Sequence, residues 1–450
     1  MQWRRIWLGV LGMALAIQAY AEGAADVKLS VGRKNAHYNL GENASFTGTV
    51  LVDGKLATDG KVAARLSDDG LGVLSTQEFD LAKGNPFTVE GTLAAPGFLQ
   101  CVASYGKARA RAVAAFEPER VCPASILPDD FAKFWDDAIL ELDQVPLDAK
   151  VEPLPWFSSE RFACFKVSFA TLGGSRIYGF LSIPRQGDGP FPALVSVPGV
   201  GPGVFGPDLG CVNGPGRGRA ARRVRFEGGG ESAATLVMNV HQYDPPVSWA
   251  GINALHNKLN TPVPYYRQGV PDRDKYYYKN AVLGVNRAVD WLASRPDVDP
   301  ARIAVHGGGQ GGAFALILAA LNKHIKAAAA NGPALCDHAG YRLGRSPGWP
   351  KLVVGGDPAT LEMSAYYDVV NFARGVRCPV IVAVGFVDPL CSPSSVYAAF
   401  NSVPAPKMMF EEPALGGGVS DRFADYQRRW LRYQLGMDKE PLPPLASDEP

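Results

Sequence analysis

The spacing of apolar residues changes period near Pro146, and that change limits what the chain can fold into more than any other feature. Between Val27 and Phe116, apolar residues recur at every second position in short runs broken by turns. Phe46, Gly48, Val50 and Val52 lead to Asp53-Gly54; Val62, Ala64 and Leu66 lead to Asp69-Gly70; Phe87, Val89 and Leu93 follow. Pro96-Gly97 then feeds Leu99, Cys101, Ala103 and Tyr105. Strands built this way carry one apolar face each and must close in pairs of sheets, so an immunoglobulin-like β-sandwich is expected over residues 22–118. Beyond Pro146 the pattern alternates between strand and helix. Arg161 to Phe169 and Arg176 to Ile183 read as paired strands, and Ala193 to Val197 as a continuous apolar strand of the buried parallel kind. Strands at Thr235 to Val240, Ile303 to Val305 and Val380 to Val384 then interleave with helices at Tyr276 to Ala293, Gly312 to Leu321 and Ser394 to Val403. Such alternation predicts a doubly wound α/β domain over 119–440, followed by a tail at 441–450.

Between these regions lies a linker rich in Pro and charge, Glu117 to Pro128. After it, Asp129 is expected to cap a helix with Phe131, Phe134, Trp135, Ala138 and Leu142 on one face. Residues 1–21 read as a signal peptide: Arg4 and Arg5, an apolar run from Ile6 to Ile17, and the cleavage motif Ala19-Tyr20-Ala21. A secreted or periplasmic location follows, an uncleaved N-terminal anchor being the alternative; no later segment has the length of a membrane span. Cleavage after Ala21 leaves 43 Lys and Arg against 44 Asp and Glu, so no global field favours nucleic acid or an anionic membrane. Seven cysteines permit disulfides but leave at least one thiol unpaired in the monomer. They form no C-x-x-C pair, and with six scattered histidines they give no metal-site spacing. Arg217, Arg219, Arg222, Arg223 and Arg225 lie among glycines and read as a solvated loop, a site for acidic sugar being the second reading.

Chemistry is expected where Arg302-Ile-Ala-Val-His-Gly-Gly-Gly-Gln-Gly-Gly312 runs from a strand through a glycine-rich turn into an apolar helix. This is the setting of a nucleophile elbow, G-x-S-x-G, with Gly307 and Gly311 as its flanking glycines. The central position is Gly309, which carries no nucleophile. Further on, Asp388 follows the buried strand that begins at Cys378-Pro379, where a triad acid belongs. The late loop Glu411-Glu-Pro-Ala-Leu-Gly-Gly-Gly-Val419, where a triad histidine belongs, contains no histidine.

In this order the landmarks resemble the acetyl xylan esterase and cephalosporin C deacetylase family, carbohydrate esterase family seven of the α/β-hydrolases. The likeness runs from about Pro128 to Gly436. It is carried by Pro128-Asp-Asp-Phe-Ala-Lys-Phe-Trp135, Asp274-Lys-Tyr-Tyr-Tyr-Lys279, Arg287-Ala-Val-Asp290, Asp299-Pro-Ala-Arg-Ile303, Gln310-Gly311-Gly312, and Cys378-Pro379 through Asp388. Members of this secreted kind can carry an N-terminal β-sandwich. The family's elbow resembles G-G-S-Q-G-G and its late loop P-E-A-G-H-G, so the resemblance implies that Gly309 replaces the serine and Gly417 the histidine. It also implies an oxyanion hole from the N–H of Gln310 and the loop at Gly199 and Val200, a saccharide or small acylated ligand, no cofactor, and self-association. Asp388 alone can neither attack a carbonyl nor relay a proton. The expected function is therefore an impaired esterase that keeps a saccharide pocket. The alternatives are an active esterase with displaced residues and a structural or partner-binding protein.

Other polar residues near predicted strand ends are placed for ligand contact. His241, Tyr243 and His338 are candidates for substrate binding. His306 reads as a core histidine, Ser420 as the cap of the last helix, and Tyr276, Tyr277 and Tyr278 as core packing or a sugar-stacking surface.

Overall fold

Strands β1 (Ala25–Val31), β2 (His37–Tyr38), β3 (Ala44–Val52), β4 (Lys55–Leu56), β5 (Lys61–Asp68), β6 (Gly72–Asp80), β7 (Phe87–Gly91), β8 (Gly97–Tyr105) and β9 (Ala108–Phe116) realise the period-two segment of the chain. The structure is a computed structural model describing residues 24–204, 206–207, 232–246, 248–353, 355–440 and 442. The segment expected to be a signal peptide, the arginine run, Cys211 and the tail beyond residue 442 lie outside the described residues. One sheet has the order β1-β3-β4 with β7 also paired to β3; the other has the order β2-β9-β8-β5-β6. Their inner faces share one apolar core, to which the first contributes Phe46, Val50 and Val89 and the second Val62, Leu66 and Leu99. These are the residues that period-two spacing turns inward.

The rest of the chain supplies α1 (Phe131–Asp143), β10 (Lys150–Pro153), β11 (Phe162–Ala170), β12 (Arg176–Pro184), β13 (Phe191–Val197), β14 (Ala234–Met238), α2 (Trp249–Leu259), α3 (Tyr277–Ala293), β15 (Val298–Gly308) and α4 (Gln310–Leu321). It continues through β16 (Ile325–Asn331), α5 (Pro358–Ala365), α6 (Val369–Ala373), β17 (Val380–Gly385), α7 (Pro393–Ser402), β18 (Lys407–Glu412) and α8 (Asp421–Gln434). Among the described residues these strands form one sheet in the order β10-β11-β12-β14-β13-β15-β16-β17-β18. Strands β13 to β18 run parallel, and β10 to β12 add an antiparallel edge. Strand order reverses at β13: β14 lies on one side and β15 on the other, which opens a crevice at their carboxyl ends. Helix α4 is apolar on all sides and buried along nearly its whole length. No helix among the described residues is long and apolar enough to cross a membrane.

Two local expectations change. The N-cap of α1 is Asp130, not Asp129, and its carboxylate bonds no helix N–H. It accepts instead from Tyr366 and, at 2.9 Å, from Arg273, tying α1 to the segment before α3. The six described cysteines are all free. Ser420 does cap α8, its Oγ accepting from the Phe423 N–H at 3.0 Å.

The linker is strapped to the α/β domain. Asp337 accepts from the Ala124 and Ser125 N–H groups at 2.7 and 3.0 Å, and Arg345 reaches both Asp337 and the Cys122 carbonyl. The sandwich packs on the same face. Phe98 meets Phe386 and Tyr397, His37 pairs with Glu411 at 2.8 Å, and Asp69 accepts from the Ser346 N–H at 2.7 Å and the Ser394 hydroxyl at 2.5 Å. Burial lifts Asp69 to about 7 from an ordinary 3.8.

A carboxylate whose folded pKa is raised binds more protons folded than unfolded between those two values. Its contribution to stability is therefore present below about pH 4 and lost as pH rises to about 7. Asp69→Asn keeps an acceptor and tolerates the left-handed backbone at φ 46°, so it should flatten this part of the pH dependence. Urea midpoints at pH 5 and pH 8 check it: the wild type should lose more stability than the variant on going up in pH. Asp68, lifted to about 6 by its own burial, leaves the variant a smaller residual slope.

Candidate active site

The strand-to-helix turn after β15 keeps the backbone of an elbow. Gly309 sits at φ 56° and ψ −116°, its N–H donating to the Asn331 carbonyl at 2.8 Å and its carbonyl accepting from Ala313 and Ala334. A residue with a side chain would be strained here by about 1–3 kcal/mol, and glycine is not. The flanking glycines answer to a different constraint, close approach. A Cβ on Gly307 would lie 2.4 Å from the Gly311 carbonyl carbon, and one on Gly311 2.0 Å from the Val197 carbonyl oxygen. A Cβ on Gly309, by contrast, would meet nothing within 4 Å.

That open space belongs to a cavity of about 620 Å³ at the carboxyl end of β13 and β15. Its walls include Gly199 and Val200 after β13, Gly309, Trp349, Leu390, Asp388 and Gly417. Apolar side chains and glycine backbone dominate, as in a pocket suited to a small organic group. Asp388 follows β17, and its Oδ1 accepts from the Leu390 and Cys391 N–H groups at 2.8 and 3.1 Å. The other carboxylate oxygen, Oδ2, lies 3.4 Å from where a Cβ on Gly417 would stand. Elbow, acid and late loop thus converge on one cavity, with Asp388 aimed at the position where a triad would hold its imidazole.

Cys391 lines the cavity, but burial pushes that thiol up to about 12, with the Asp388 charge adding to the effect, so it stays protonated. Gln310 opens α4, so its N–H lacks an intrahelical acceptor and lies at the helix's positive end. Its side chain turns away: Oε1 accepts from the Tyr265 and Tyr278 hydroxyls at 2.8 and 2.6 Å.

The remaining sequence candidates fall elsewhere. His241 is fully buried, its Nε2 donating to the Gly201 carbonyl and its Nδ1 accepting from the Tyr277 hydroxyl, both at 2.8 Å. Burial lowers it to about 4, which keeps the ring neutral. Tyr243 donates to the Pro202 carbonyl at 2.6 Å. Both therefore brace the loop that carries Gly199 and Val200, and neither lines the cavity. His338 is also buried away from it, with neither ring nitrogen partnered among the described residues and a pKa lowered to about 4 by burial. Tyr276 and Tyr278 pack in the core. His306 does line the cavity, its Nδ1 3.1 Å from the Gln427 amide nitrogen, although sequence had placed it in the core. Sequence reasoning also passed over Trp349 and Leu390, which carry no motif.

Comparison with known proteins accords with this geometry. The acetyl xylan esterase family model matches residues 119–342 and 356–430. An acetyl esterase of Xylanibacter ruminicola is 30% identical over 402 residues, covering 88% of each chain. Two acetyl xylan esterase structures share the fold. That from Thermoanaerobacterium sp. JW/SL YS485 has a TM-score of 0.57 at 22% identity, over 71% of this chain and 98% of its own. That from Paenibacillus sp. R4 has a TM-score of 0.55 at 24% identity, over 70% and 98%. With the family's α/β-hydrolase fold and a retained elbow, acid and late loop, the chain belongs to the acetyl xylan esterase family.

Proposed function

We propose that this protein is a secreted member of the family that binds an acylated saccharide in the cavity at Gly309 without hydrolysing it at a useful rate. The reading rests on one observation: glycine occupies both 309 and 417 while the elbow backbone, Asp388 and the cavity between them persist. Ester cleavage here needs a hydroxyl to attack, an imidazole to take its proton, and an acid to hold that imidazole. Only the acid is in place. The Gln310 N–H and the Gly199–Val200 backbone could still polarise a bound carbonyl, and such a hole with binding alone leaves roughly 10³ to 10⁴-fold over water. Binding requires none of the missing groups. The N-terminal Arg4, Arg5 and apolar run support export with cleavage after Ala21, and the period-two region supports an immunoglobulin-like accessory domain at 22–118.

Two measurements on the untouched protein test this. Acetylated xylo-oligosaccharides should bind by calorimetry more tightly than their deacetylated counterparts, and 4-nitrophenyl acetate should show no turnover beyond that of a Gly309→Ala control. A second reading has its own support: Ser196 and His306 are register partners on β13 and β15 and both line the cavity. Turnover that disappears in His306→Ala would establish that displaced hydrolase and remove the first reading.

A further inference from the structure

A second cavity, of about 150 Å³, lies where the sandwich meets the α/β domain. Each domain supplies about half of its walls. Arg65 of β5, Gln100 of β8 and Arg111 of β9 come from the sandwich; Lys351, Phe386 and Asp388 come from the α/β domain. Asp388 lines both this cavity and the one at Gly309.

The lining is built for negative charge. Arg65, Arg111 and Lys351 have no carboxylate within ion-pairing distance among the described residues; Arg111 donates to the Val387 carbonyl and Lys351 to the Ser346 hydroxyl. Of the two acids in the wall, Asp69 is occupied by Ser346 and Ser394, and Asp388 has one oxygen held by backbone N–H groups. Gln100 adds a neutral hydrogen-bond donor to this lining. The residue is 9% exposed and lines the cavity, and its amide, which solvent can still reach, has no protein hydrogen-bond partner among the described residues. Its Nε2 lies against Gly70, where a Cβ would approach to 2.5 Å, so glycine keeps the amide clear of side-chain atoms.

We propose that this interdomain cavity is a carboxylate subsite for an acidic sugar, with Arg65, Arg111 and Lys351 holding the charge and the Gln100 amide donating to a carboxylate oxygen. Guanidinium groups match planar carboxylates, and because Arg65, Arg111 and Lys351 are exposed residues, added salt should weaken the interaction. The sugar part rests on the saccharide reading above. The anion part rests on these residues alone. The ligand implied is an acylated saccharide bearing a uronic acid, its acyl group at Gly309 and its carboxylate beyond Asp388. The sandwich thereby becomes part of ligand selection.

The test uses the full chain at constant ionic strength, with glucuronate, glucose, sulfate and a neutral acetylated xylo-oligosaccharide as probes. Glucuronate should bind at least about tenfold more tightly than glucose, and Arg65→Gln with Arg111→Gln should erase that preference while leaving the neutral oligosaccharide unaffected. Gln100→Leu should weaken glucuronate with no change for glucose. Lys351→Gln gives a further readout should the double variant fold poorly, as its melting curve would reveal. Equal binding of glucuronate and glucose, or a preference that survives the arginine substitutions, overturns the proposal. So does sulfate binding with the same arginine dependence while glucuronate gains nothing over glucose. Failure of the neutral oligosaccharide alone defeats the acylated-saccharide reading and leaves the anion subsite standing.

Discussion

Gly309→Ser combined with Gly417→His should raise ester hydrolysis by on the order of 10² to 10⁴-fold over the untouched protein, the range that a positioned base brings to such a reaction. The structure supplies the reasons. A Cβ at 309 enters open cavity, so a serine hydroxyl needs no rearrangement around it. A Cβ at 417 stands 3.4 Å from Asp388 Oδ2, close enough for that oxygen to accept a hydrogen bond from a histidine ring. Each single substitution should gain little, since a serine without a base stays protonated and a histidine without a nucleophile has no hydroxyl to activate. The gain should also be lost below about pH 6, as the new imidazole becomes protonated. The serine carries a cost, because φ 56° at that position strains any side chain by about 1–3 kcal/mol, and denaturant midpoints should fall accordingly. Burst kinetics with 4-nitrophenyl acetate would show an acyl-enzyme directly. A double variant that folds, binds ligand and gains nothing over either single variant would mean that elbow and late loop no longer face each other closely enough for proton transfer.

The parts of this arrangement that sequence disclosed are those governed by local constraint. An elbow is written as glycines at fixed spacing because backbone meets backbone there, and Asp388 was legible because it closely follows a buried strand. The sandwich was legible from its period. Orientation was not. His241, Tyr243 and His338 follow strands, as ligand contacts often do, but whether a ring turns to solvent, to its own loop or to the core depends on packing that only the folded chain specifies. His338 goes inward because the segment after β16 folds under the one at 345–349, where the Leu335 N–H bonds to the Trp349 carbonyl at 2.7 Å. Asp130 rather than Asp129 flanks α1, and its carboxylate serves Arg273 and Tyr366, distant partners that no local capping pattern reveals. The interdomain cavity was hidden for the same reason: Arg65, Gln100, Arg111 and Lys351 are far apart in sequence and form no motif.

Gly311→Ala should destabilise the protein by more than about 3 kcal/mol, whereas Gly309→Ala should cost only about 1–3 kcal/mol. The two positions lie two residues apart in the same turn, so the contrast isolates what each glycine does. At 311 an added methyl would sit 2.0 Å from the Val197 carbonyl oxygen and 3.0 Å from that of Pro198. Both are backbone atoms of β13 and of the loop that follows it, and no rotamer change can clear them. Helix α4 would have to withdraw from the centre of the sheet, taking with it the packing of Phe314, Leu316 and Ile317, all buried. At 309 the methyl meets no atom and only the dihedral strain remains. Urea unfolding with an unchanged dependence on denaturant would measure both costs on one scale, and a Gly311→Ala protein within 1 kcal/mol of wild type would show that the elbow is held less tightly than its geometry requires. The same contrast bears on the proposed loss of the nucleophile. On that proposal, the flanking glycines remain because they cannot change without disturbing the fold, while glycine at 309 would remove strain as it removed a hydroxyl.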